Sequence, residues 1–192
     1  MLLCEHPHVF TLGKNGKQNH LLANEKILKS INASFYKINR GGDITYHGPG
    51  QLVGYPIFDL DNFFTDIGLF LRTLEEIIIQ TLKDFNIQGE RSDGETGVWI
   101  NGAPKRKICA MGIRASRWVT MHGFALNANT NLDYFSHIVP CGIKNKEVTS
   151  IYRETKQNVN FDYLKEKIIN NFSSIFNSKI EYEKGNLVSL LR

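Results

Sequence analysis

The sequence predicts an α/β (α+β) domain, and three observations carry that prediction. Short runs of strand-type residues alternate with segments of helical periodicity, with no internal repeat and no low-complexity linker. At 192 residues and 42% hydrophobic composition, the chain has enough apolar surface for one sizeable core, so residues 1–192 are read as a single domain. Apolar runs such as Ile77-Ile78-Ile79 fall far short of a membrane span. No charged leader with a hydrophobic stretch and small cleavage residues opens the chain.

Taken in order, Leu2 to Pro7 reads as a strand closed by a proline, and Val9 to Gly13 as a second. The chain therefore begins inside a sheet. Asn24 caps a short helix reaching Ile31, and Phe35 to Asn39 is a strand. Residues 40–51 follow as a glycine-rich loop, and Leu52 to Leu60 as another strand-like run. From Thr65 the clearest helix places Ile67, Leu71, Leu74, Ile78, Leu82 and Phe85 on one face, widened by Leu69, Phe70 and Ile77. Gly97 to Ile100 is a strand leading into Asn101-Gly102, a turn pair suited to a hairpin. In the returning strand, Lys107 to Arg114, alternation puts Lys107, Cys109, Met111 and Ile113 on one face. Val119 to Ala128 carries His122 on the side of Phe124 and Leu126. A helix over 161–176 and a strand over 180–183 finish the domain.

The net charge of +4 permits an acidic protein partner but is too diffuse for nucleic acid. Three cysteines, Cys4, Cys109 and Cys141, form no C-x-x-C pair. Neither a disulfide framework nor a zinc site is suggested, and a reduced cytoplasmic thiol protein fits. Chemistry concentrates in three segments. Arg40-Gly41-Gly42-Asp43-Ile44-Thr45-Tyr46-His47-Gly48-Pro49-Gly50-Gln51 sets permissive glycines beside fixed polar groups. Lys107-Ile108-Cys109-Ala110-Met111-Gly112 offers an amine against apolar neighbours, either snorkelling to water or paired with an acid or thiolate. Val139-Pro140-Cys141-Gly142-Ile143 places a thiol on a turn where backbone amides can face an oxyanion. On spacing alone Cys109 rivals Cys141 as a nucleophile. His122 is equally readable as a hydrogen-bonded core residue.

These segments, with Glu5-His6-Pro7, Thr11-Leu12-Gly13, Gly97-Val98-Trp99 and His122-Gly123-Phe124-Ala125-Leu126-Asn127, resemble in order and spacing the octanoyltransferases. That family is also called lipoyl(octanoyl) transferase or lipoate-protein ligase B, and the match is to the form of Bacteroidetes-type bacteria. It covers about residues 2 to 176. The resemblance implies a biotin/lipoate protein ligase-like domain, a mixed sheet flanked by helices with the site at one end of the strands. It further implies that an N-terminal segment is missing, by truncation or a miscalled start.

The implied activity moves an octanoyl group from acyl carrier protein to a lysine of lipoyl domains, in 2-oxoacid dehydrogenases or the glycine-cleavage H protein. No cofactor, metal, nucleic acid or membrane is involved. A thiol is needed because a thiolate exchanges with the donor thioester and the acceptor amine then resolves the acyl-enzyme. By family position that thiol is Cys141 and the lysine lowering its pKa is Lys107. A cation about 4 Å away at an effective dielectric near 20 is worth about 4 kcal/mol. Desolvation opposes it, leaving a net fall of roughly one to two pH units. The resemblance lines the acyl and thioester site with Arg40, Gly41, Gly42, Asp43, Ile44, Thr45, Tyr46, His47, Ala110, Met111, Gly112, Gly123, Phe124 and Ala125. Tyr46 and His47 are expected to supply hydrogen bonds near the thioester, with packing the alternative for Tyr46, and His122 supports the loops. Two other functions stay open, an ATP-dependent lipoate-protein ligase and a non-catalytic lipoyl-domain or acyl-binding module.

Overall fold

The computed structural model describes residues 1–139 and 147–181. In chain order the elements are β1 (Leu2–Cys4), β2 (Val9–Leu12), α1 (Glu25–Ser30), β3 (Ser34–Lys37), β4 (Ile44–His47), β5 (Gln51–Tyr55), α2 (Ile67–Lys83), β6 (Gly89–Glu90), β7 (Val98–Ile100), β8 (Arg106–Ser116), β9 (Val119–Asn127), β10 (Glu147–Val148), α3 (Ile151–Thr155) and α4 (Phe161–Ile175). The larger sheet is an antiparallel ladder, β1-β5-β9-β8-β7-β6. It becomes mixed where β10 pairs in parallel with Arg106 and Lys107, the stretch of β8 that β9 does not reach. The smaller sheet, β3-β2-β4, is mixed as well, with β3 parallel and β4 antiparallel to β2.

Alternation along the central strands separates two faces of the larger sheet. Leu52, Val98, Cys109, Phe124 and Leu126 bury against Phe70, Leu74, Ile77, Ile78 and Leu82 of α2 and Leu164, Ile168 and Phe172 of α4. Asp66 starts α2 by accepting a hydrogen bond from the Leu69 N–H at 2.9 Å, and the predicted stripe is rotated slightly, since Ile67 and Leu69 face solvent. A second, smaller core of Phe10, Leu12, Ile44, Tyr46 and Ile138 lies on the smaller sheet.

The hydrophobic periodicity of α2 gives no hint of Glu75, which is fully buried. Its Oε1 accepts from the Gly97 N–H at 2.9 Å, and Oε2 lies 2.8 Å from Arg72 Nη1 and 3.3 Å from Arg91 Nε. The carboxylate thus ties the helix to the start of β7. Both arginines are partly exposed and can return to water, so the main cost of removing the carboxylate is the stranded Gly97 N–H. Glu75→Ala is expected to lower unfolding free energy by about 2 kcal/mol in urea titration. An unchanged midpoint would show that the contact contributes nothing.

Three readings of the sequence change. Ile44–His47 is a strand, although its glycine-rich flanks make it read as loop. The β7–β8 connection spans residues 101–105, because Ile100 pairs with Arg106, so Asn101-Gly102 is not a two-residue turn. The tight turn is instead Arg117-Trp118 between β8 and β9, both residues at positive φ (50° and 61°) without glycine or asparagine to announce it. Ile180 and Glu181 carry no strand, and the rest of that expected element lies outside the described residues.

Candidate active site

A cleft of about 550 Å³ takes its walls from both sheets. The cross-strand pairs Ala110 with Ala125 and Gly112 with Gly123 bring small residues to its floor. Little side-chain volume intrudes there, which leaves a slot suited to a narrow apolar ligand.

The Arg40 loop forms another wall and is held from below. Arg40 is buried, with Nη2 donating to the Thr11 carbonyl at 2.7 Å and Thr11 Oγ1 at 3.1 Å, and Nη1 to the Gly41 carbonyl at 3.0 Å. The Lys14 and Asn15 N–H groups donate to the Arg40 and Gly42 carbonyls. Asp43 accepts from His20 Nδ1 at 2.6 Å. The glycines have a double reason. A Cβ on Gly112 would sit 2.8 Å from the Gly41 oxygen, so Gly41 and Gly112 let the loop backbone cross β8 closely, while Gly42, at φ 85°, borders the cleft.

Along β4, Thr45 and His47 turn to the cleft and Tyr46 turns away. Tyr46 is fully buried, its hydroxyl 2.7 Å from His8 Nδ1 and its ring stacked 4.8 Å from Tyr134. Burial pushes its pKa well up. The expectation that Tyr46 hydrogen-bonds near a bound thioester is therefore corrected to the packing alternative. Gly41 likewise lies behind the cleft wall. Arg40, Gly42, Asp43, Ile44, Thr45, His47, Lys107, Ala110, Met111, Gly112, His122, Gly123, Phe124 and Ala125 all border it.

Two alternation readings fail for local reasons. A bulge opposite Val98 and Trp99 inserts one residue between Lys107 and Cys109. Lys107 consequently faces the cleft beside Trp99, with Nζ 4.4 Å from the indole centroid, whereas Cys109 is fully buried in the main core. Burial raises the Cys109 thiol far above its ordinary pKa. His122, at φ 65°, leaves the strand's alternation, borders the cleft and lies 3.2 Å from Asn39 Oδ1 through Nε2. Burial, with the charges of Arg40 and Arg114, lowers its pKa.

Cys141, with Pro140 and Gly142, lies outside the described residues. The chain on either side is fixed: the Val139 N–H donates to the His20 carbonyl at 2.8 Å, and Val148 pairs in register with Lys107. Several cleft residues had no assigned role in the sequence. His6 and Tyr55, joined at 2.6 Å, border the cleft, as do Trp99, Gln51 and Asn127. Polar residues at cleft-facing positions of otherwise apolar strands were the available signal for Gln51 and Asn127. Among the described residues no cluster of three or more His, Cys, Asp or Glu side chains could hold a metal ion. Nor is any described helix long and apolar enough to cross a membrane.

Residues 1–173 match the lipoyl protein ligase A/B catalytic domain. An octanoyltransferase of Christiangramia forsetii is 60% identical over 185 residues, covering 95% of this chain and 79% of that protein. One of Flavobacterium psychrophilum is 62% identical over 182 residues, covering 93% and 78%. Among solved structures, a bipartite lipoate protein ligase from Thermoplasma acidophilum shares the fold at TM-score 0.75 and 16% identity, over 94% of this chain and 72% of that one. A biotin protein ligase from Aquifex aeolicus matches at TM-score 0.53 and 15% identity, over 68% and 51%. The fold is thus the biotin/lipoate ligase-like one, and the chain belongs to the lipoyl protein ligase A/B catalytic domain family, among its octanoyltransferases.

Proposed function

We propose that this cytoplasmic enzyme transfers an octanoyl, or lipoyl, group from acyl carrier protein to a lysine of lipoyl domains through a thioester on Cys141. The acceptors are the lipoyl domains of 2-oxoacid dehydrogenases and the glycine-cleavage H protein, and no cofactor is needed because the donor thioester is already activated. Both sheets act as one catalytic domain, since the cleft takes residues from each. The observation that carries the reading is Lys107. Its ammonium lies in the cleft over Trp99, and its strand pairs with Val148, seven residues after Cys141. A cation there favours thiolate over thiol. The other thiols support the same choice, because burial raises the pKa of both Cys109 and Cys4.

The chemistry follows in two steps. The thiolate attacks the donor carbonyl, the donor thiolate leaves, and the octanoyl chain lies along the slot floored by Ala110, Gly112 and Ala125. The acceptor lysine then attacks the enzyme thioester to give the amide. Intact mass spectrometry after mixing with octanoyl-acyl carrier protein tests this reading. One octanoyl group is expected on Cys141, and it disappears when an unmodified lipoyl domain is added. Pyrophosphate release from ATP and lipoate, with no protein adduct, would establish a ligase instead.

A further inference from the structure

We propose that His6, held by Tyr55, is the stop at the end of the acyl slot and sets the length of chain that the enzyme transfers. The inference rests on the thioester reading above and deepens it by naming the residues that choose the acyl donor. Strand register supplies the track. Ala110 on β8 pairs with Ala125 on β9, and Ala125 pairs with Val53 on β5, so these apolar side chains form one row across the sheet. All three border the cleft. The next residue of the row is Cys4 on β1, which pairs with Val53 but contributes no cleft surface. His6 stands in front of it, with Nε2 3.7 Å from Cys4 Sγ and 2.6 Å from the Tyr55 hydroxyl.

The row is closed along both sides. On one, the buried amides of Gln51 and Asn127 meet at 2.9 Å and continue to His47 Nδ1, 2.8 Å from Gln51 Oε1. On the other, the Arg40 loop crosses β8 so closely that a Cβ on Gly112 would lie 2.8 Å from the Gly41 oxygen. An apolar chain laid along the strands meets polar groups with which it cannot pair. Laid across them, it meets Ala110, Ala125 and Val53.

The two ends of that track differ. Lys107, over Trp99, stands at the β8 end, where the thioester reading puts the acyl carbonyl. At the β5 end stands His6, its ring fixed by the Tyr55 hydroxyl and set edge-on to the phenol at 5.9 Å between centroids. Burial lowers the His6 pKa, which favours the uncharged ring that a methyl end can abut. From β8 to β5 is two strand spacings, about 10 Å, close to the reach of an extended eight-carbon chain. A ten-carbon chain would press its last two carbons against the His6 ring.

Competition between donors tests the stop. Hexanoyl-, octanoyl- and decanoyl-acyl carrier protein are mixed in equal amounts, and the products on an unmodified lipoyl domain are resolved by intact mass spectrometry. In the parent the octanoyl product is expected to dominate. His6→Ala opens the end, and the decanoyl-to-octanoyl ratio is expected to rise about tenfold, as the burial of two further methylenes implies. Val53→Leu lengthens the side chain beside the stop, and the octanoyl-to-hexanoyl ratio is expected to fall about fivefold. Each readout is a ratio between donors, so it does not depend on how much of a variant folds. An unchanged ratio in either variant overturns the inference. Calorimetric titration with free octanoate and decanoate needs no acyl transfer and is expected to show the same shift in His6→Ala. A parent that transfers no acyl group while this binding shift persists overturns the thioester reading and keeps the stop. Normal octanoyl transfer with unchanged ratios overturns the stop alone.

Discussion

Cys141→Ser is expected to lower octanoyl transfer to a lipoyl domain by at least about a thousandfold, with an unchanged circular dichroism spectrum. A serine hydroxyl in the same position lacks the acidity that lets a thiol ionise near neutral pH, so the first half-reaction loses its nucleophile. The controls are chosen from the structure. Cys4→Ser keeps transfer, because Cys4 is half-buried beside His6 and contributes no cleft surface. Cys109→Ser places a hydroxyl in the main core and is expected to lower stability by about 1–2 kcal/mol while keeping transfer per folded molecule. Transfer lost in Cys109→Ser and retained in Cys141→Ser would reverse the assignment.

The contrast between those two thiols also shows what a sequence can carry. Periodicity placed α2, α4, β8 and β9 closely, because their apolar spacing is imposed by a continuous core, whereas the strand-like run from Leu52 stops at Tyr55, short of Leu60. It misplaced Cys109 because one inserted residue, invisible in composition, reverses every side chain beyond the bulge. His122 failed similarly: nothing local announces a positive φ in a non-glycine strand residue. Ile44–His47 has the β-branched and aromatic residues of a strand, but the surrounding glycines masked its alternation. Motif order revealed the loop and Lys107. The amide chain behind His47 was not legible, since it depends on Gln51 and Asn127, which are 76 residues apart and meet only when β5 pairs with β9.

Lys107→Met is expected to raise the apparent pKa of Cys141, read by iodoacetamide alkylation against pH, by roughly one to two units. In the parent that value is expected to fall below about 8.5, the free-thiol reference. The lysine stem carries its ammonium over the Trp99 ring in the cleft, which limits where the charge can go. Methionine preserves much of that stem and removes only the cation. The sign follows from the charge: a lysine ammonium stabilises the thiolate, so its loss moves the titration upward and leaves less thiolate at neutral pH. Acyl-enzyme formation should consequently slow roughly tenfold at pH 7 and much less above pH 9, where the thiol ionises without help. Lys107→Arg separates charge from proton transfer, since guanidinium keeps the positive charge but is a poor base. Normal alkylation with slowed aminolysis in Lys107→Arg would show that the amine also handles a proton in the second step. A Lys107→Met titration that overlays the parent curve would remove Lys107 from tuning the nucleophile and leave it a role in binding the donor or acceptor.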